Sequence, residues 1–188
     1  MDKKVIYVGL DVDDTQHHGS ALDKDTGEVI TFQCRPTLAG LSQQLVKLNR
    51  AFHDSSLNLC YEASYIGYTL QRDLVKHGYH CDVVAPSSIP SPRGKQIKTD
   101  RIDAAQLAQF YANGLLTTVA IPEPEQEQDR DLLRSRQKLV EQRKELRTHI
   151  LSLLRRNGRH FRQETPNKAH WTLLHQSWLE EGGHHIVK

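Results

Sequence analysis

Cysteine is scarce in this chain. Cys34, Cys60 and Cys81 are odd in number, far apart, and no two form a CxxC pair. A disulfide framework is therefore excluded, and no spacing suits a structural zinc ion. Each thiol lies in an apolar stretch and reads as buried. No apolar run approaches the ~18–20 residues of a membrane span, and MDKKVIYVGLD at the start holds no signal-peptide apolar core. The expected location is cytoplasmic. Tandem repeats are absent, and so are the glycine-rich phosphate loops of an actin-like kinase or ATPase.

What is present suffices for one ordinary domain and an appendage: 188 residues, 37% of them hydrophobic and 26% charged. The net charge of +2 conceals an asymmetry. Residues 1–128 hold 12 Lys and Arg against 16 Asp and Glu, whereas residues 129–159 hold 10 against 4. An acidic first part followed by a basic segment suggests two tasks on one chain.

Hydrophobic patterning predicts strands at Val5–Val12, Ser20–Leu22, Val29–Cys34, Leu57–Tyr61 and Cys81–Ala85. Helices are predicted after an N-cap at Thr37, over Tyr68–His77, and from Thr99 or Asp100 to about Asn113. The order βββαβαβ implies an α/β domain over 1–121: a mixed five-stranded sheet flanked by helices. An acidic, proline-marked linker is expected at 122–128, a helical segment at 129–180, and a tail at 181–188. Within the helical segment, 129–157 has no internal Gly or Pro, and Leu132, Leu139, Leu146 and Leu153 recur every seven residues. Arg136 and Arg143 interrupt the second apolar position, so a helical hairpin or short oligomerising coil is expected rather than a perfect zipper. Trp171 and Trp178 read as core or interface residues rather than base-stacking surfaces.

Asp11, Glu62, Asp100 and Asp103 are the residues that could carry chemistry. Asp11 and Glu62 end apolar strands, where α/β folds gather their active sites, and an ionised side chain there is costly unless paired or metal-bound. Asp100 and Asp103, three apart at a helix start, point off one face. Each has a plain alternative: a satisfied strand-end acid for Asp11, an acid at the start of a helix for Glu62, an N-cap for Asp100, a first-turn acid for Asp103. Asp13 and Asp14 rival Asp11. Together, four carboxylates would raise one another's pKa values, and two divalent cations would neutralise them and support phosphodiester chemistry. Oxygen ligands favour Mg²⁺ or Mn²⁺. His17-His18 and His184-His185 lack partners at ligand spacing.

Two basic segments suit a polyanion. Arg93, Lys95, Lys98 and Arg101 surround the approach to the Asp pair, and Arg134, Lys138, Arg143, Arg147, Arg155 and Arg156 stud the long helix. Phosphate contacts by such residues position a nucleic acid, and arginine suits bidentate contacts. Spacing alone does not choose between RNA and DNA.

The sequence resembles the N-terminal part of the DEDD-type transposases of the bacterial "insertion sequence 110" family. The resemblance runs through YVGLDV around Asp11, YEAS around Glu62, VAPSSIP at 84–90 and IKTDRIDAAQLA at 97–108. It continues through VAIPEPEQEQDRDLLRSR at 119–136, LLRRNG at 153–158 and WTLLHQSWL at 171–179. It implies a ribonuclease H-like (RuvC-like) fold, with the family's four acids falling on Asp11, Glu62, Asp100 and Asp103. It also implies duplex DNA and a guide (bridge-type) noncoding RNA as partners. A homo-oligomer is expected, a dimer through 129–157 or a tetramer once assembled. Two departures stand out. Asp13 and Asp14 replace a small residue and a lysine, and family members continue into a second domain carrying a catalytic serine, whereas this sequence ends at Lys188. The expected function is thus the metal-binding part of a DNA transposase or recombinase, incomplete without that domain. The alternative is a non-catalytic RNA- or DNA-binding and dimerising module.

Overall fold

The structure is a computed structural model describing residues 3–53, 55–90 and 100–186, except for the side chains of 100–103 and 182–186. The chain divides into two compact units, Met1–Ile121 and Pro122–Lys188.

In the first unit, β1 (Lys4–Val12), β2 (His17–Asp23) and β3 (Val29–Cys34) form an antiparallel meander. α1 (Leu38–Ala51) follows, its first turn capped by the Thr37 hydroxyl, which accepts from the Gly40 N–H at 3.1 Å. β4 (Ser55–Glu62), α2 (Thr69–Lys76) and β5 (His80–Val84) come next, then a single 3₁₀ turn at Pro86–Ser88. α3 (Asp100–Ala112) closes the unit's regular elements. The sheet order is β3-β2-β1-β4-β5, with β1, β4 and β5 parallel. This is the mixed five-stranded, ribonuclease H-like arrangement.

Alternation along β1 separates two faces. Ile6, Val8 and Leu10 are fully buried and pack with Leu59 and Tyr61 of β4, Leu41 and Leu45 of α1, and Leu74 of α2. Tyr7, Gly9 and Asp11 face the other way, where a smaller cluster of Cys60, Val84 and Leu107 forms beneath α3. After α3 the chain returns along the edge strand: Val119 N–H bonds Val83 O, and Ala85 N–H bonds Thr117 O. The exposed edge of β5 is thereby partly satisfied.

The second unit is helical: α4 (Pro124–Arg156), α5 (Phe161–Glu164) and α6 (Leu173–Ile186). α4 has 33 residues, about 50 Å of helix. It starts five residues before the expected Asp129 and absorbs most of the expected acidic linker. Proline is at home at the first helical position, and Glu125 and Glu127 favour the positive end of the helix. Gly158, at φ +72°, ends it, with Arg159 N–H bonded to Leu154 O. Two further boundaries differ from expectation. α6 continues through the expected tail to Ile186, because two glycines cost a helix only about 1 kcal/mol each. It also begins after Trp171, since the Thr172 hydroxyl caps it by accepting from the His175 N–H at 3.4 Å. Leu154, Phe161 and Trp178 are this unit's buried hydrophobic core, and His175 lies fully buried among the aromatic rings. Among the described residues, no helix is long and apolar enough to cross a membrane.

Candidate active site

Asp11 and Glu62 close neighbouring parallel strands. The β1–β4 register runs to Leu10 opposite Tyr61, so the next step along each strand sets Asp11 beside Glu62 on the α3 face. Asp11 is half-buried and Glu62 exposed.

α3 reaches this face because β1 has a glycine at position 9. A Cβ there would lie 2.3 Å from Ala104 O and 2.5 Å from Ala108 N. Backbone therefore packs directly on backbone, and any side chain would push the helix away. Further along, the Tyr111 ring meets Tyr7 edge-on at 5.6 Å and its hydroxyl donates to Asp82 Oδ2 at 2.5 Å, while Lys24 Nζ donates to Ala112 O at 2.8 Å. These contacts fix the helix direction. Its C-terminus lies over the beginning of β1, and its first turn lies towards the end of β1 that carries Asp11. Asp100 opens that turn, and Asp103 immediately precedes Ala104. Their side chains lie outside the described ones, so the structure places these two by backbone alone.

Sequence reasoning set His18 aside for want of a partner at ligand spacing. The β1–β2 register pairs it directly with Asp11, which puts both on the same face. The available signal was the turn: a hairpin centred between Asp14 and Thr15 sets position 18 opposite 11. The rivals Asp13 and Asp14 belong to that turn. Asp13 Oδ1 accepts from the Thr15 hydroxyl at 2.6 Å and from the Thr15 N–H at 2.8 Å, and these bonds hold its carboxyl below the usual range.

The thiols take no part. Cys34, Cys60 and Cys81 are free and buried; burial, with Asp82 nearby, pushes the Cys81 thiol up to about 12, and burial pushes Cys60 higher still. Neither supplies a thiolate at neutral pH. Among the described residues no three His, Cys, Asp or Glu side chains cluster as a metal site. Two of the four expected carboxylates fall outside that set.

Of the expected nucleic-acid contacts, Arg93, Lys95 and Lys98 lie outside the described residues, as does the Arg101 side chain. Arg134, Lys138, Arg143, Arg155 and Arg156 are exposed on α4, and Arg147 is half-buried with its guanidinium 5.0 Å from the Trp171 ring centre.

A family model described as "Transposase", that of the DEDD transposases of IS110 type, matches residues 8–157. The chain belongs to this transposase family. It is 32% identical over 182 residues to y4qE of Sinorhizobium fredii (strain NBRC 101917 / NGR234), a transposase by name, covering 96% of this chain and 45% of that protein. It is 30% identical over 179 residues to the transposase for insertion sequence element IS1533 of Leptospira borgpetersenii, covering 94% and 50%. This transposase chain thus spans about half the length of the curated relatives it matches. Among solved structures, the large terminase nuclease from thermophilic phage G20c aligns with TM-score 0.36 at 14% identity, covering 59% of this chain and 56% of that one. That likeness is loose; the sheet order identifies the fold without it.

Proposed function

We propose that this transposase chain is the metal-binding part of an enzyme that cuts and rejoins DNA. In this reading Asp11, Glu62, Asp100 and Asp103 hold Mg²⁺ or Mn²⁺. The observation that supports it most is the parallel β1–β4 register, which sets Asp11 beside Glu62 at the edge towards which Gly9 lets the first turn of α3 approach. The donor set fits the ion: carboxylate oxygens are the hard ligands these cations prefer. A bound pair of such cations would activate the attacking oxygen and stabilise the leaving one. Asp11 and Glu62 bind from the strand ends, and Asp100 and Asp103 complete the shell from the helix. His18, paired with Asp11, orients that carboxylate.

The basic residues contact phosphates. Guidance by a noncoding RNA, and a serine supplied from outside this chain, enter the proposal on the family resemblance. Asp11→Ala and Asp103→Ala should each abolish Mn²⁺ binding in calorimetry and metal-dependent nicking of duplex DNA. Retained Mn²⁺ binding in both variants would sink the assignment.

A second reading, a nucleic-acid-binding and self-associating module without catalysis of its own, draws on α4. Leu132, Leu139 and Leu146 are each about two-thirds exposed there beside the arginines, a face suited to a second copy of the helix. It predicts salt-sensitive DNA binding that is indifferent to loss of the carboxylates.

A further inference from the structure

We infer that Trp171 and the basic flank of α4 form a binding site for an unpaired nucleotide of a single-stranded nucleic acid, the indole stacking on its base and the cations holding its phosphates. The inference rests on reading the chain as a protein that acts on nucleic acid.

The two tryptophans part company in the structure. Trp178 is buried, its Nε1–H donated to Glu164 Oε2 at 2.6 Å. Trp171 stays half-exposed, and its backbone sits at φ +68°. Bulky side chains rarely adopt this left-handed region, and departures of this kind tend to mark functional positions. The surroundings hold it there. The Trp171 N–H is donated to Nδ1 of the buried His175 at 3.1 Å, and the two rings meet edge to face at 5.0 Å. Such strain is unnecessary for filling a core. Its effect is to stand the indole against α4.

There it forms one wall of a cleft of about 230 Å³ with Arg143, Lys144, Arg147, Thr148 and Leu151. No carboxylate lines this cleft. The volume falls below the roughly 300–1,000 Å³ of a small-molecule pocket, which suits one unit of a longer chain rather than a free ligand. Arg147 already lies over one face of the indole, 5.0 Å from its centre, so the base takes the opposite face and Arg143 and Lys144 hold its phosphate, the combination used for single strands. A duplex keeps its base faces stacked and offers only phosphates. Two turns further on, Arg155, Arg159 and Arg162 line a second cavity of about 160 Å³, which adds cations along the same side of the helix.

The test titrates the whole chain with labelled single-stranded RNA of about 12 nucleotides, with DNA of the same sequence, and with the corresponding duplex DNA. Anisotropy reports affinity and tryptophan fluorescence reports stacking. Single strands should quench the fluorescence; Trp171→Ala should weaken their binding roughly tenfold. Trp171→Phe should bind within about twofold of the native chain while losing most of the quench, since a phenyl ring still stacks. Tighter binding of RNA than DNA, or the reverse, identifies the natural strand. Should Trp171→Ala disturb the helices, Arg143→Gln with Lys144→Gln should lower the salt dependence of single-strand binding by about one in log–log slope. Unchanged single-strand affinity in both variants overturns the site, as does equal dependence of duplex binding on Trp171. Duplex binding that persists while neither variant weakens single-strand binding overturns this inference alone. Failure to bind any of the three probes removes the nucleic-acid reading with it.

Discussion

In residues 1–121 the apolar side chains are shared between two faces of one sheet, and Ile6, Val8, Leu10, Leu41, Leu45 and Leu59 have no exposure at all. In residues 122–188 three buried hydrophobic residues gather around a histidine, while the leucines of α4 stay open to solvent. The first unit carries enough interior to fix the position of each side chain in it. The second holds itself together at one end and leaves most of its long helix as surface. The proposed carboxylate site thus belongs to the densely packed unit, and the proposed nucleic-acid surface to the thinly packed one.

The largest expected effect separates the units outright. Gly9→Ala forces a methyl group onto the backbone of α3 and should destabilise the first unit by about 4 kcal/mol. Urea unfolding followed by its strand signal should show this, with the helical signal of the second unit unmoved. Phe161→Ala is the converse. It should cost the second unit about 3 kcal/mol, and the sheet should melt as before; a matching loss in the sheet would mean the units do not fold separately.

Acid sharpens the contrast more gently. Burial, then the nearby arginines, lowers the pKa of His170, and burial lowers that of His175. Folding favours the neutral form of both, so their contribution is present above the ordinary value of 6.5 and is lost as pH falls below it. His17 in the first unit is lowered by burial in the same direction, so among the described residues one such histidine there stands against two in the second unit. Burial tends to raise Asp23, but bonds from Lys4 and Thr26 outweigh it and hold the carboxyl at about 2. The stability Asp23 adds to the first unit is therefore present above its unfolded value of 3.8 and disappears only as pH falls towards about 2. Urea titrations on either side of pH 6.5 should weaken the second unit more than the first. The smallest effect is on a single chain's stability: Leu146→Asp, at an exposed position, should change folding by less than about 0.5 kcal/mol. Its readout is sedimentation velocity, where self-association through α4 would give way to monomer.

The strands and α1 were legible because their signals are local. The apolar run of β1, the exact span Val29–Cys34 and the Thr37 cap need only neighbours in sequence. The separate strand ends of Asp11 and Glu62 were legible for the same reason, whereas their adjacency depends on β1 and β4 pairing across 50 residues of chain. His18 escaped because its meaning lies in a hairpin register. Trp171 and Trp178 read alike in the sequence, as core or interface, and only the structure parts them, because the cap at Thr172 starts α6 after Trp171. Pro124 looked like a break and is a start, since proline reads differently at the first helical position than inside a helix.

The bare contact at Gly9 also bears on compliance. Where side chains separate a helix from a sheet, rotamer changes let the helix slide or tilt by small amounts. Here peptide meets peptide, with nothing between to yield, and α3 takes on the stiffness of the central strand. A ligand at the proposed site beside Asp11 would meet a frame that cannot widen there without separating the two backbones, and any accommodation would fall to exposed side chains such as Glu62. A residue with no side chain thereby sets a joint in which backbone bears directly on backbone.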